Sequence, residues 1–377
     1  MSGSDCDIAI VGGGLAGGLV ALALAQARPE VVVRLIEAGP QPGGNHRWSW
    51  FATDLTPDGE ALMRRFRVTR WDDGYDVRFP GLDRHLRTPY RSLASADFAE
   101  GLRQMLPQGS ILTGRAAASL DKAGVTFADG ERLNAGAVID CRGFAPTDHL
   151  AGGWQVFLGR HLETDKPHGV ERPLIMDATV SQRSFRFVYV LPLGERELFL
   201  EDTYYQATPM LDHDSLSRRL DRYAARHRWK GTVSGSETGV LPVITGGDFA
   251  AWQADLSVEG VARAGAQAGF LHPLTSYTLP FAVETALAIA READLSGPHL
   301  AAMLSSRAGA HWRATRFYRG LGTLLFGAAR SSRRWRVFAR FYRLPTPLIE
   351  RFYAARSTRS DRWRILCGKP PVSPLRA

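Results

Sequence analysis

Asp7-Ile-Ala-Ile-Val-Gly-Gly-Gly-Leu-Ala-Gly-Gly18, an Ala/Leu-rich segment and Val31-Val-Val-Arg-Leu-Ile-Glu37 read in succession as strand, glycine turn, helix and second strand. Gly12, Gly14 and Gly17 form G-x-G-x-x-G directly after a buried-strand run and directly before a helical one. The first glycine allows a tight turn, the second lets the backbone approach a pyrophosphate, and the third lets the helix pack closely on the strand. Leu15 and Ala16 open that helix, whose N-terminus offers unpaired N–H groups and a partial positive charge to phosphate. Glu37 closes the second strand about twenty residues beyond Gly17, where a ribose hydroxyl needs a carboxylate acceptor. The flanking elements raise a weak glycine motif to a dinucleotide-binding one.

No charged residue occurs between Ile8 and Ala27, a run long enough to span a membrane or to serve as a signal peptide. Asp5 and Asp7 precede it where a signal peptide would carry basic residues, and a parallel strand with its helix, buried on both sides, is equally uncharged. The glycine cluster favours the buried unit. At 377 residues and 45% hydrophobic, the chain has room for two domains or one interleaved one. Cys6, Cys141 and Cys367 are far apart and fit no metal-ligand spacing, so a reducing compartment without structural disulfides is expected. The net charge of +9 is concentrated beyond Ser305, which points to an anionic partner such as a membrane surface.

After Glu37 the glycine-rich loop reaches His46, Arg47, Trp48 and Trp50. His46 and Arg47 are candidates for contact with phosphate or flavin, or else plain solvated loop residues. Residues 75–90 read as short strands. Arg91–Phe98 is expected to open a helix with a serine or aspartate cap, and Ser110–Gly114 and Gly124–Glu131 to form a small meander. Ala137-Val-Ile-Asp-Cys-Arg-Gly143 is a further buried strand, whose Asp140 either lies on the adenosine side or caps the turn. A second region begins at Trp154. Its strand Phe185–Leu193 puts Phe185, Phe187, Tyr189 and Leu191 on one face; across a short turn at Gly194-Glu-Arg196, Phe199, Glu201, Thr203 and Tyr205 share a face. Glu201 and Asp202 therefore point in opposite directions. Asp214–Trp229 is a charged amphipathic helix. Gly265, Gly269, His272, Pro273 and Thr275 then lie in a loop ahead of a helix from Leu279, a second anion site. Two such sites around an intervening sheet suit a flavin enzyme better than a simple nicotinamide dehydrogenase. Trp335, Phe338 and Phe341-Tyr342 recur at helical spacing among Arg333, Arg334, Arg336, Arg340 and Arg343, as in a core stripe or an interfacial helix on anionic lipid. No nucleic-acid-binding module accompanies this charge, so no nucleic-acid partner is expected.

The residues resemble the bacterial lycopene β-cyclases of the flavoprotein type essentially from end to end. The resemblance rests on Gly12–Gly18, Glu37-Ala-Gly-Pro, Gly43-Gly-Asn-His46, Met176-Asp-Ala-Thr-Val180, Phe199-Leu-Glu-Asp-Thr203, His272-Pro-x-Thr-x-Tyr-x-Leu-Pro280, Leu344-Pro, Arg351-Phe-Tyr-Ala and Gly368-Lys-Pro-Pro. Gly13 and Gly18 replace other small or polar residues, and Cys141 stands where that family usually has glycine; none of the three is expected to touch the chemistry. The resemblance implies an α/β, Rossmann-like two-dinucleotide-binding (FAD) flavoprotein fold with an interleaved mixed/antiparallel-sheet substrate domain and a C-terminal helical region. It also implies FAD active in its reduced form, NAD(P)H as reductant, and redox-neutral cyclisation of the ψ-ends of lycopene to β-ionone rings, giving β-carotene via γ-carotene. Glu201 is the expected acid–base group and Asp177 a second candidate, for stabilising the cation.

On this basis residues 1–74, 91–150 and 255–299 are expected to form a discontinuous FAD-binding domain. Residues 75–90 and 151–254 would form the substrate-binding sheet, and 300–377 a basic aromatic helical region that contacts the membrane. A cytoplasmic protein peripherally attached to the inner membrane follows, acting on lycopene and related ψ-ended carotenoids. The rivals are an FAD-dependent monooxygenase or isoprenoid reductase, which would consume NAD(P)H stoichiometrically, and a non-catalytic lipid- or nucleic-acid-binding protein, which leaves two anion sites unexplained.

Overall fold

A computed structural model describes residues 4–328 and 330–367. The Gly368–Pro371 run that contributes to the family resemblance lies outside the described residues. The strand Cys6–Val11 lies at the centre of a seven-stranded sheet, parallel to Val33–Ile36 on one side and to Arg132–Asp140 on the other. Val261–Arg263 extends the parallel part beyond Arg132–Asp140, while Gly124–Phe127 and Ala117–Asp121 continue it as an antiparallel meander. Ile111–Leu112 pairs in parallel with Val33–Ile36 and so belongs to the main sheet rather than to the meander expected of it.

The uncharged run is the buried unit anticipated: Cys6–Val11 followed by the helix Leu15–Ala27, which packs against the helix Leu279–Ala290. The glycines are needed where the chain doubles back. Gly12 has φ +102°, and a Cβ on it would stand 2.8 Å from the backbone of Cys141. A Cβ on Gly17 would meet the Gly12 carbonyl oxygen at 2.0 Å. The first helical turn thus sits directly on the strand end, with its N–H groups pointing out of the sheet.

A second seven-stranded sheet runs in the order Gly231–Gly247, Leu150–Thr164, Glu197–Gln206, Arg186–Pro192, Leu174–Asp177, Tyr75–Phe79, Leu82–Leu86. It is antiparallel except where Leu174–Asp177 meets Tyr75–Phe79. Strand alternation divides its two faces sharply. Phe185, Phe187, Leu191, Phe199 and Tyr205 belong to one apolar cluster, whereas Val188, Val190, Leu198, Leu200 and Tyr204 belong to another, which the helix His213–Arg226 covers through Leu216, Leu220 and Tyr223.

The helix expected from Arg91 begins later. Tyr90–Ala94 is a strand paired with Arg47–Phe51 and Thr69–Trp71, and the helix runs Ser95–Met105 with no side-chain cap. The Ser95 hydroxyl instead accepts the His46 N–H at 3.3 Å, tying the glycine-rich loop to the helix start.

The C-terminal aromatic stripe packs as core. Phe338 stacks on Phe185 with ring centroids 4.0 Å apart and planes 4° apart, and the buried Tyr342 and Tyr353 share a hydrogen bond of 2.5 Å. Arg333, Arg336 and Arg343 remain exposed around it. Among the described residues no helix is long and apolar enough to cross a membrane.

Substituting Gly17→Ala should drive a methyl group into the Gly12 carbonyl and destabilise the fold by about 1–3 kcal/mol. Thermal unfolding checks this, and an unchanged Tm would mean that the turn tolerates the extra carbon.

Candidate active site

A cavity of about 720 Å³ opens between the glycine turn of the first sheet and the aromatic face of the second. Gly12, Gly14, Leu15, Ala16, Glu37, His46, Arg47, Gly265 and Thr275 line it, as do Glu201, Phe199, Phe157, Tyr189, Tyr90 and Tyr277. One continuous space therefore joins a nucleotide-shaped cleft to an aromatic chamber.

At the cleft end Gly14 caps the helix, and a Cβ built on it would meet nothing within 4 Å, so its backbone faces open space. Both Glu37 carboxylate oxygens are oriented by backbone donors, one accepting from Gly13 N at 2.9 Å and the other from Gly39 N at 2.6 Å. Gly265 (φ +73°) brings the second loop against the first helix, since a Cβ there would lie 2.9 Å from Ala16 Cβ. Three polar atoms on cavity-lining residues are buried without a partner: Thr275 Oγ1, Arg47 Nε and Arg115 Nε. Unsatisfied buried donors at the rim of a cleft that a helix N-terminus also faces fit an elongated dianionic dinucleotide such as FAD.

Four of the expected cofactor residues do not line this cavity. Gly17 acts through packing, as its crowding by Gly12 requires. Gly269 (φ +88°) caps the short 3-10 turn Ala266–Ala268, and Pro273 accepts the Ile244 N–H through its carbonyl. His272 is fully buried: its Nδ1 accepts from the N–H groups of Leu274 and Thr275, and its Nε2 donates to the Phe352 carbonyl at 3.1 Å. Burial pushes its imidazole down to about 3, so it is neutral and holds the Thr275 loop against the C-terminal helices. Asp140 receives the backbone and guanidinium of Arg142, which closes the turn. Among the lining residues that the sequence pattern does not single out are Arg115 and Cys141. Arg115 reaches the cleft from a meander strand end, and Cys141, a departure from the family pattern not expected to touch the chemistry, lines the cavity beside Gly12.

At the chamber end, register pairs Tyr189 with Glu201 and Leu191 with Phe199, so one aromatic-rich face carries the carboxyl. Glu201 accepts a 2.5 Å hydrogen bond from Thr203 Oγ1 and is almost wholly buried. Burial, reinforced by the nearby Glu237, pushes its carboxyl up to about 8 despite the Thr203 hydrogen bond that opposes the shift. Burial thus favours its neutral, protonated form, which is suited to giving up a proton. Asp202, on the opposite face, pairs bidentately with Arg186. Tyr277 bridges Tyr90 and Tyr189 through hydroxyl contacts of 3.3 and 3.4 Å, and all three tyrosines line the chamber.

Asp177 is placed elsewhere, which corrects its expected role. The pairing of Leu174–Asp177 slips by one residue, so Leu174 and Asp177 both side with the face away from the cavity, while Ile175 and Met176 both join the aromatic cluster. There Asp177 accepts from Tyr223 Oη at 2.7 Å and from Thr179 Oγ1 at 2.6 Å, a satisfied structural carboxylate.

Two glycines shape the chamber wall. A Cβ on Gly159 would lie 2.3 Å from the Phe199 ring, and one on Gly239 would lie 2.1 Å from the Phe157 ring. Each ring folds flat onto the neighbouring strand because no side chain is there to prop it outward.

The chain matches the family model described as lycopene cyclase protein over residues 7–377. It is 44% identical to a lycopene beta-cyclase of Pseudescherichia vulneris, covering 97% of this chain and 94% of that one. It is 40% identical to a lycopene beta-cyclase of Pantoea ananas, over 98% and 96%. Among solved structures it resembles a geranylgeranyl bacteriochlorophyll reductase-like protein of Thermoplasma acidophilum, with a TM-score of 0.66 and 15% identity over 96% and 95% of the two chains. It also resembles Klebsiella pneumoniae HpxO complexed with FAD and uric acid, with a TM-score of 0.64 and 16% identity over 93% and 96%. The latter two likenesses establish the flavoprotein fold alone.

Infrared spectra of glutamate-labelled protein should retain a protonated-carboxyl band at pH 7 that fades as pH rises through about 8 and is diminished in Glu201→Gln. Identical band intensity in the variant would mean that Glu201 is not the protonated group.

Proposed function

The chain belongs to the lycopene cyclase family, and on that premise we propose that it is a lycopene β-cyclase that closes the ψ-ends of lycopene into β-ionone rings, giving β-carotene by way of γ-carotene. The observation that carries this is a buried Glu201 facing an aromatic chamber. Its proton goes to the terminal double bond, leaving a tertiary cation that the neighbouring double bond attacks as the ring closes. A carboxylate then takes the ring proton, so one proton enters, one leaves, and no net electrons move. General acid catalysis of this kind contributes about 10²–10⁴-fold. Tyr90, Tyr189, Tyr277, Phe157 and Phe199 line the path of the cation, where aromatic quadrupoles attract positive charge. Apolar lining also keeps out the water that would trap the cation as an alcohol.

We assign FAD to the cleft formed by Gly12, Gly14, Leu15, Ala16, Glu37, His46, Arg47, Gly265 and Thr275. When bound in its reduced state, with NAD(P)H as reductant, it supplies negative charge beside the reacting end. Residues 1–74, 91–150 and 255–299 would constitute the cofactor-binding unit, residues 75–90 and 151–254 the polyene-binding sheet, and residues 300–377 the surface that meets the membrane.

A bilayer-dissolved polyene requires the protein to dock where its substrate lies. Trp363 is 68% exposed and Leu366 54% exposed on the helix Arg359–Leu366, beside the exposed Arg359 and Arg364. Apolar side chains ringed by arginine suit the headgroup region of an anionic leaflet, giving peripheral attachment to the cytoplasmic face of the inner membrane.

In cells accumulating lycopene, the wild-type chain should yield β-carotene, while Glu201→Gln should lose at least about a hundredfold in product yet keep its flavin, as read by pigment chromatography and absorbance. Stoichiometric NAD(P)H consumption with product would instead indicate a reductase or monooxygenase. Turnover of the wild type should fall as pH rises through about 8, because the acid form of Glu201 is then lost.

Vesicle flotation should show binding to anionic but not to zwitterionic lipid, weakened several-fold by the double substitution Trp363→Ser, Leu366→Ser. Equal flotation with both vesicle types would remove the docking assignment.

A further inference from the structure

A second carboxyl lies on the Glu201 row of the substrate sheet. Gly159 on the strand Leu150–Thr164 pairs with Glu201 on one side and with Glu237 on the other. Residues in such a row share a face, so Glu201 and Glu237 project into the same side of the sheet on either side of Gly159, over which the Phe199 ring and the Glu237 side chain both lean. Their backbones stand about 10 Å apart, two strand spacings, within which two glutamate side chains can approach. The Glu237 side chain leans over the glycine: its Cγ lies 3.1 Å from where a Gly159 Cβ would be. Glu237 is only 5% exposed and Glu201 only 9%.

The surroundings of the two carboxyls differ. Glu201 has the Thr203 hydroxyl and faces the tyrosines Tyr90, Tyr189 and Tyr277. Glu237 has Arg47 as its nearby cation. Arg47 lies over the Phe199 ring at 5.6 Å from its centroid and donates to Ser92 Oγ, with its Nε left over. Other charged or titratable groups are accounted for. His161, on the same strand as Gly159, contacts the Phe199 ring and faces Glu197, and Asp97 acts on Arg47 from the helix Ser95–Met105. Asp202 points to the far side, where Arg186 neutralises it.

We propose that Glu201 and Glu237 form a carboxyl pair that carries one proton across Gly159, with Glu237 taking the charge beside Arg47 and Glu201 keeping the proton. This rests on the cyclase assignment and deepens it: Glu237 is a positioning residue whose charge keeps the acid loaded. Two carboxyls held together out of water resist ionising together, so they lose their protons in two separated steps. Burial raises both, and Arg47 opposes the rise at Glu237 alone, so Glu237 loses its proton first. An anionic Glu237 then disfavours a second negative charge on Glu201. The sign of a substitution follows: removing the Glu237 charge makes Glu201 easier to ionise and moves the loss of its proton to lower pH.

The test compares wild type, Glu237→Gln and Glu237→Asp in lycopene-containing vesicles across pH. The alkaline limb of turnover should move down by on the order of one pH unit in Glu237→Gln and be largely restored in Glu237→Asp. A limb that stays in place while turnover falls would reduce Glu237 to a structural residue and overturn the pair. Infrared titration of glutamate-labelled wild-type holoenzyme provides a readout that needs neither turnover nor a folded variant. The band that Glu201 contributes should coexist near neutral pH with an ionised Glu237. Two protonated glutamates throughout, or none, would refute the shared proton. A wild type that leaves lycopene untouched but shows the two-step carboxyl titration would sink the cyclase assignment and leave the pair standing.

Discussion

The site depends on the period-two alternation of a single strand. Along Glu197–Gln206, successive side chains go to opposite faces of the sheet, so adjacent carboxyls at 201 and 202 meet wholly different environments. Asp202 is given a guanidinium on the helix-covered side, where its charge is matched. Glu201 is given aromatic rings and a hydroxyl, and desolvation favours its protonated form. A slip of one residue in pairing would exchange the two and leave a chamber lined by a salt-bridging aspartate without its arginine. The hairpin turn and the long pairing with Leu150–Thr164 prevent that slip.

The glycine turn plays the corresponding part in the other sheet. Crowding of Gly12 by Cys141 and of Gly17 by Gly12 sets the helix directly over the strand end, and Gly265 brings the second loop onto the same helix. Donors from two remote segments thereby face one cleft. The aromatic C-terminal helices pack behind this loop, and neutral His272 connects them to Thr275. The cavity thus belongs to no single segment: the glycine turn, the second sheet and the stretch 265–282 meet around it.

Much of this was legible in the sequence because it is local. G-x-G-x-x-G, the strand ending in Glu37, the hairpin at 194–196 and the opposite faces of Glu201 and Asp202 all follow from short-range pattern. What escaped depends on pairing. Asp177 shares a motif-rich stretch with Met176, yet a bulge in its strand turns it to the far face, and no periodicity count reveals a bulge. Glu237 becomes a neighbour of Glu201 only through Gly159, a relation set by register between three strands. His272 lies within a family motif but acts through a helix 80 residues further on. Arg115 and Cys141 reach the cavity from strand ends whose position a single chain segment does not specify. The helix starts at Ser95 rather than near Arg91, and the Ser95 hydroxyl serves the His46 loop instead of a cap.

The bore of the chamber is governed by two absent side chains. Phe157 and Phe199 lie flat only because Gly239 and Gly159 leave room beneath them, and both glycines sit on strands whose pairing does not need a side chain there. One methyl group at either position would tip a ring into the lumen while leaving the sheet intact. Glycine and alanine codons differ by a single nucleotide, so chamber width is separated by one mutational step from a narrower form. A lineage can therefore vary the width of the chamber without rebuilding the strand that carries Glu201.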